Sequence, residues 1–275
     1  MVNLTQLWTT EPVWQVPAGW RQGRGAWGGL VAGQVMTAAS ADLPDEHLVP
    51  RSLWIAMLGP VLAGDVRCEV RDLRRGRATL AREVTLSNSD DELLTRGVVV
   101  FGVPRTDTEV ANAAPPAPNP EPAPDAERMA LPVPPAPEFI SRMAFAPVDG
   151  FPFSGAARLL TTGWISLGDD SADTLTPAII AALADAWWTV AIVGMDGSAL
   201  GTGGIPPVST LDFSLSFPSA PPKVPAADLW QRGLWHIGRG IAGQQGYLTE
   251  LRELWTPDGQ LLALNTQVVA VGRTG

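Results

Sequence analysis

The sequence predicts an α+β fold made of two copies of one unit, each a helix enclosed by an antiparallel sheet. Three observations support this prediction. Two segments, 27–40 and 178–192, are apolar on nearly every side of a helix, as expected of helices that a sheet surrounds. Each segment is followed by several strand-like runs. The two halves also match each other at constant offsets, which indicates an internal duplication.

The first half opens with a helix and continues as a meander of strands. The helical segment, residues 27–40, begins with two glycines, Gly28 and Gly29, and is apolar throughout. We interpret these glycines as allowing the helix to start close to a neighbouring backbone. Alternating or β-branched runs then predict four strands, at residues 51–58, 65–73, 77–87 and 93–102.

The second half repeats this order of elements. A strand-like run at 159–167 precedes a helix that starts at Thr176 as N-cap, with Pro177 in its first turn. The helical pattern continues to residue 192 and carries one carboxylate, Asp185, near its middle. Strands are predicted after it at residues 209–217, 229–237, 247–255 and 261–271.

The duplication can be tested by sliding one half along the other. An offset of 170 positions places Gly76 on Gly246 and Glu83 on Glu253, and an offset of 158 places Leu53 on Leu211. Two helices, each enclosed by a curled sheet, predict a double hotdog fold. Its two antiparallel sheets are expected to meet and to bury each other's edges.

A biased segment divides the chain into three parts. Residues 104–137 are rich in Pro and Ala with little to bury, which is typical of an extended linker of polyproline type. We therefore predict an N-terminal hotdog domain at 1–103, a linker at 104–137 and a C-terminal hotdog domain at 138–275.

Charge and cysteine content limit the partners. The formal net charge of −9 argues against nucleic acid or an anionic membrane as the main partner. The single cysteine, Cys68, allows no disulfide framework and suits a reducing compartment.

No secretory signal is recognisable at the N-terminus, so the cytoplasm is expected. We predict no membrane span, because the one candidate segment, 175–193, contains Asp185 and lacks flanking Lys or Arg.

Asp185 requires an explanation because an isolated charge in apolar surroundings is costly. It could face a covering loop, bond to nearby backbone as a structural acid, or take part in chemistry. Comparing the halves helps, because chemistry can decay in one copy whereas packing should persist. Three polar residues of the second half stand opposite different residues in the first, namely Asp185 against Gln34, Thr210 against Ser52, and Gln267 against Gly97, and the second half alone holds all three polar groups.

These three residues could together hold a water molecule. A carboxylate accepts a proton, while hydroxyl and amide groups donate and accept hydrogen bonds. Burial raises a carboxyl pKa, which makes it a better base near neutral pH. One feature opposes this arrangement, since strict alternation along the strand directs Thr210 away from the helix. A β-bulge or the end of the strand would be needed to turn it inward.

At these residues the sequence resembles the acyl-CoA thioesterase II family of double-hotdog enzymes. The similarity covers both halves through "WGGLVAGQVMTAA", "LRRGRATLAREVTL", "LADA", "STLDFSLSF" and "DGQLLALNTQ". It implies that an Asp, a Thr and a Gln jointly activate a water, and these fall on Asp185, Thr210 and Gln267. The chain departs from the family where Pro218 and Ser219 replace a common His-Arg pair.

The resemblance implies hydrolysis of acyl-CoA to free acid and CoA, in fatty acid metabolism, with no cofactor and no metal. Expected substrate-binding residues are Trp187, Trp188, Gly28 and Gly29. A homo-oligomer is expected because end strands leave edges to cover. Two alternatives stay open: a catalytically silent acyl or acyl-CoA binding protein on the same scaffold, and a thioesterase acting on a carrier-protein or specialised-metabolite thioester.

Other hydrolytic and metal-dependent classes have little support. The sequence contains no G-x-S-x-G motif and only two histidines, His47 and His236, so a Ser-His-Asp hydrolase of that type is not indicated. Clustered metal-ligating residues are also missing from the sequence pattern.

Overall fold

Each half of the protein contains one central helix followed by four strands of nine to twelve residues. The computed structural model describes residues 3–105, 136–167, 174–197, 206–222 and 226–272. The first half contains β1 (Val13–Val16), β2 (Arg21–Gln22), β3 (Gly25–Ala26), α1 (Gly28–Ala39), β4 (Val49–Met57), β5 (Gly64–Arg75), β6 (Thr79–Ser87) and β7 (Leu93–Gly102). The second contains β8 (Ala144–Asp149), β9 (Leu160–Ser166), α2 (Pro177–Ala184), β10 (Val208–Ser216), α3 (Ala226–Arg232), β11 (Leu234–Gln244), β12 (Tyr247–Trp255) and β13 (Leu261–Val271).

Eleven strands form one antiparallel sheet, and β2 and β3 form a separate hairpin. The order in the large sheet is β1-β5-β6-β7-β4-β10-β13-β12-β11-β9-β8. The two predicted sheets meet where β4 pairs with β10, with Phe213 opposite Ile55. Each half thus covers one edge strand of the other, as the double hotdog prediction required.

The two central helices are packed together inside this sheet. All residues of α2 from Ala178 to Ala184 are buried, as are ten of the twelve residues of α1. The Thr176 side chain accepts a hydrogen bond from the Ile179 N–H at 3.2 Å, and Pro177 occupies the first helical position. The predicted start of α2 is therefore confirmed. Helices without a polar face are stable here because neighbouring helix and sheet cover every side.

Two predicted elements have wrong boundaries. The second helix ends at Ala184, so Asp185 lies at its C-terminal cap and not near its middle. The strand predicted at 229–237 is wrong at both ends, since residues 229–232 belong to α3 and β11 runs on to Gln244. Gly233 ends α3 with a φ of +76°, and its N–H bonds to the Leu229 carbonyl at 2.7 Å, a helix termination that glycine favours.

No helix among the described residues is long and apolar enough to cross a membrane. The segment 175–193, which the sequence offered as a candidate membrane span, contains only the eight-residue helix α2 and a short 3₁₀ turn, Val190–Ile192. Most of the predicted linker, residues 106–135, lies outside the described residues, so the proposed domain boundaries stay predictions.

Candidate active site

Asp185 is the centre of a buried polar group at the end of α2. Its side chain is 8% exposed. The Gln267 amide donates from Nε2 to Asp185 Oδ1 at 3.1 Å, and Thr210 Oγ1 donates to Gln267 Oε1 at 3.0 Å. The structure thus joins the three residues selected from the sequence into one hydrogen-bonded chain. Their catalytic roles stay predictions.

A β-bulge turns Thr210 towards this group. The pairing of β10 with β13 shifts between Thr210 and Asp212, so Leu211 is the extra residue, and its side chain is 43% exposed. The Asp212 carboxylate accepts a hydrogen bond from the Val268 N–H at 2.9 Å, which satisfies a backbone donor beside the bulge. Strict alternation therefore breaks at the position where the functional interpretation required it.

The bulge also changes which first-half residue corresponds to Thr210. Thr210 pairs with Val269, whereas Leu53 pairs with Val99. Val99 and Val269 are related by the offset of 170 positions. Thr210 therefore occupies the register position of the buried Leu53, and the sequence-based pairing of Thr210 with Ser52 is wrong. The offset of 158 holds only on the far side of the bulge.

The N-terminus of α1 closes the site from the other half. A side chain at Gly28 would come within 2.6 Å of Asp185 Oδ2, and one at Gly29 within 2.4 Å of the Ala182 carbonyl oxygen. The Gly29 N–H lowers the pKa of the Asp185 carboxyl, and Trp27 Nε1 donates to the Asp185 carbonyl at 3.2 Å. Both glycines permit the close approach predicted from the sequence, while their substrate-binding role stays a prediction.

Burial dominates the acidity of Asp185. It outweighs the other influences, so that the carboxyl pKa is raised from 3.8 to about 6. The positive charge of Arg252 and the Gln267 hydrogen bond lower this pKa, Glu250 raises it, and the Gly29 N–H lowers it. The folded protein thus holds a carboxylate that is ionised at neutral pH and accepts a proton more readily than an exposed aspartate.

Three further polar residues of the site were missed from the sequence. Asn265 Oδ1 accepts the second amide hydrogen of Gln267 at 2.9 Å. Arg252 and Glu250, both buried on β12, lie beside the end of α2. Alternation along "YLTELRELW" puts Glu250 and Arg252 on the same face as Leu248 and Leu254, which was the available signal.

Trp187 and Trp188 lie in an aromatic cluster next to the acid. Trp187 is 2% exposed, stacks on His236 with ring centroids 4.8 Å apart, and contacts Phe145. Trp188 is partly buried and donates from Nε1 to the Gly150 carbonyl at 2.9 Å. His236 lies on β11, as expected for a strand residue. Burial lowers the pKa of its imidazole, as does the charge of Arg252.

The described residues contain no cluster of three or more His, Cys, Asp or Glu side chains placed to hold a metal ion. The site offers a buried base, an amide that orients it, and a hydroxyl that fixes the amide. Such a group can remove a proton from a water molecule, while backbone N–H groups at the start of α1 lie next to the carboxylate.

Comparisons with known proteins agree with this architecture. The chain is similar in fold to a hot dog protein of unknown function from Alicyclobacillus acidocaldarius, at 24% identity and a TM-score of 0.77, covering 95% of this chain and 92% of that one. It is also similar to the tesB protein of Mycobacterium avium subsp. paratuberculosis, at 19% identity and 0.68 over 95% and 92%. The acyl-CoA thioesterase II of Mycobacterium marinum gives 18% identity and 0.64 over 90% and 89%.

A search of curated proteins returned no significant match. Two family descriptions match the sequence itself. Residues 16–102 match the acyl-CoA thioesterase N-terminal domain, and residues 111–271 match the acyl-CoA thioesterase C-terminal domain. Together with the double hotdog fold, these matches show that the chain belongs to the acyl-CoA thioesterase family.

Proposed function

We propose that the protein hydrolyses acyl-CoA thioesters to a free acid and CoA with a water molecule that Asp185 activates. The observation that carries this proposal is the hydrogen-bonded chain from Thr210 through Gln267 to a buried carboxylate with a pKa of about 6. The same residues correspond to the water-activating trio that the family resemblance implies.

The reaction follows from these contacts. Asp185 accepts a proton from water, and the oxygen attacks the thioester carbonyl carbon. The tetrahedral intermediate then expels the CoA thiolate, which takes up the proton, so that one water and one thioester give one acid and one thiol. Both amide hydrogens of Gln267 are used by Asp185 and Asn265. The developing oxyanion needs hydrogen-bond donors, and either the Gln267 amide or backbone N–H groups at a helix N-terminus could serve. Because the amide is already used, the N–H groups at the start of α1 fit better.

Asp185→Asn tests the role of the acid. We expect thiol release from acyl-CoA to fall by at least about 100-fold, because a general base contributes roughly 10²–10⁴ in rate. The matched control is Asp258→Asn. Asp258 is an exposed carboxylate on the β12–β13 turn and pairs with Arg232 of α3. An Asp185→Asn variant with an unchanged turnover number would contradict the proposed mechanism. In the wild type, kcat/KM should fall as the pH drops below about 6, where Asp185 becomes protonated.

A panel of substrates separates this function from its alternatives. Acyl-CoA esters of increasing chain length and the same acyl groups on a carrier protein should be assayed in parallel by thiol release. Faster turnover of the CoA esters supports the proposal. Faster turnover of carrier-bound thioesters would show that the substrate is an acyl carrier protein thioester and not acyl-CoA. Binding without release of any thiol would indicate a silent binding protein.

A further inference from the structure

Two buried charges lie beside Asp185 and take no direct part in the proposed reaction. The side chain of Arg252 is 5% exposed, and that of Glu250 is fully buried. The Arg252 guanidinium donates to Glu250 Oε2 from Nε at 3.0 Å and from a terminal nitrogen at 2.9 Å. Its other terminal nitrogen donates to the Ala184 carbonyl at 3.3 Å and lies 3.8 Å from Asp185 Oδ1. The arginine is therefore bound to Glu250 and only approaches Asp185.

The second oxygen of Glu250 fixes the chain that follows Asp185. Oε1 accepts hydrogen bonds from Thr189 Oγ1 and from the Val190 N–H, the latter at 2.7 Å. Both carboxylate oxygens of Glu250 are thus occupied, one by the guanidinium and one by the turn after α2. Two charge-assisted hydrogen bonds from the guanidinium to one carboxylate oxygen restrict where the guanidinium can lie.

The first half separates the roles of these two residues. The offset of 170 positions places Arg82 on Arg252 and Leu80 on Glu250. Arg82 also caps its helix, by donating to the carbonyls of Ala39, Ala41 and Asp42. An arginine at the end of the helix is therefore common to both halves. In the first half this arginine pairs with the partly exposed Asp72, whereas a buried glutamate at the position of Glu250 occurs only in the half that contains Asp185.

We propose that Glu250 is a positioning residue that holds the Arg252 guanidinium away from the Asp185 carboxylate and so keeps that carboxylate free to act as a base. This inference rests on the proposed function of Asp185. A guanidinium released from Glu250 would lie within reach of Asp185 Oδ1, where a direct ion pair would stabilise the ionised acid and weaken it as a base.

The charged groups around the acid are few. Among the described residues, Arg252 and Glu250 on β12 are the charged side chains that act on the Asp185 carboxyl, in opposite directions. His236 on β11 is influenced by Arg252 and favours its neutral form. From β13 the site receives the uncharged Gln267 and Asn265, and from α1 the backbone of Gly28 and Gly29.

The test measures the pKa of Asp185 directly, by a ¹³C NMR titration of protein with labelled aspartate carboxyls, in which Asp185→Asn assigns the signal. Glu250→Gln should lower this pKa by about one unit, because the arginine loses its closer partner. The matched control is Glu253→Gln on the same strand, since Glu253 is also buried but pairs with Arg239 and the Trp255 indole. The control should leave the Asp185 titration unchanged.

A second pair of variants tests the part played by Arg252 and serves if Glu250→Gln does not fold. Arg252→Gln should raise the pKa of Asp185. Adding Glu250→Gln to it should then move this pKa much less than Glu250→Gln does alone, because no guanidinium remains to be held away from the acid. An unchanged Asp185 pKa in Glu250→Gln or in Arg252→Gln would overturn the proposal, and so would a shift on removing Glu250 that is equally large with and without Arg252. A Glu250 that acted on Asp185 through its own charge alone would change this pKa by the same amount whether Arg252 is present or not.

Activity provides an independent reading. The acid limb of the kcat/KM profile should move to lower pH in Glu250→Gln together with the NMR titration. If the wild type releases no thiol from any acyl-CoA, the proposed function fails while the NMR result still decides whether Glu250 controls the contact between Arg252 and Asp185.

Discussion

The two halves of the molecule carry a polar side chain at matched sequence positions, Gln34 within α1 and Asp185 at the C-terminal cap of α2, but surround it differently. In the first half, Gln34 accepts a hydrogen bond from the Thr9 N–H at 3.0 Å and donates to the Thr9 carbonyl at 2.8 Å. Trp8 lies against Gly33 and donates to the Leu30 carbonyl. The N-terminal segment thus satisfies and fills this region, whereas in the second half Asp185 is held by Gln267.

The strand positions that face the helices also differ, being filled by packing in the first half and by polar side chains in the second. A side chain at Gly97 would come within 2.5 Å of Val35 Cγ1, so the first half has no room for a counterpart of Gln267. The bulge lies between Pro50 and Ser52 in β4 but between Thr210 and Asp212 in β10. Three local changes on one repeated scaffold therefore distinguish a packed core from a candidate active site.

Replacing the buried glutamine of each half should give the largest contrast. We expect Gln267→Leu to lower kcat/KM by about 100-fold, because loss of one positioned donor costs roughly 10²–10³ in rate. Gln34→Leu should leave kcat unchanged and instead destabilise the fold by about 1–3 kcal/mol, because it strands the Thr9 N–H and carbonyl without their partner.

Steady-state thiol release and urea unfolding on both variants check this contrast. Equal activity losses in the two variants would mean that the glutamines act only through packing. A loss of activity confined to Gln34→Leu would assign the reaction to the first half.

The acidity of Asp185 predicts a smaller, pH-dependent effect on stability. Its pKa in the folded state is about 6 against an ordinary value of 3.8, so the folded protein binds this proton more tightly. Stability therefore falls as the pH rises through this interval, and the cost persists above it. Asp185→Asn removes that cost and should raise the free energy of unfolding at pH 8 by up to about 3 kcal/mol, with no gain below about pH 4.

Unfolding by urea at several pH values measures this difference. Gln34→Glu, which places a carboxylate into the first half, should change stability in the opposite direction at pH 8. A pH-independent effect of Asp185→Asn would show that the acid is not held at a raised pKa.

Much of the fold could be predicted because strands repeat with period two. The predicted ranges 247–255 and 261–271 coincide with β12 and β13. The end of α2 could not be predicted, because a segment that is apolar on every side offers no periodicity to mark where the helix stops. The prediction therefore assigned Asp185 to the correct helix, but it placed the residue near the middle of α2 and not at its C-terminal cap.

Only part of the candidate site could be predicted from the sequence, because the comparison of the two halves detects only residues that differ between them. Comparing the halves identifies Asp185, Thr210 and Gln267 because their counterparts differ. The same comparison hides Arg252, since an arginine also stands at position 82, although Leu80 against Glu250 did carry a signal. Residues that both halves need for a helix cap look structural even when one half also uses them beside a base.

The displaced bulge provides the finest test of the comparison between halves. Thr210 donates one hydrogen bond to Gln267, and a net contribution of about 1 kcal/mol corresponds to a 5- to 10-fold change in rate. We expect Thr210→Val to lower kcat by about this factor, and Thr210→Ser to keep most of the activity because the hydroxyl remains. Ser52→Ala, at the residue that sequence alignment pairs with Thr210, should leave kcat unchanged. Equal effects of Thr210→Val and Thr210→Ser on kcat would show that the methyl contact, and not the hydroxyl facing Gln267, is what the bulge provides.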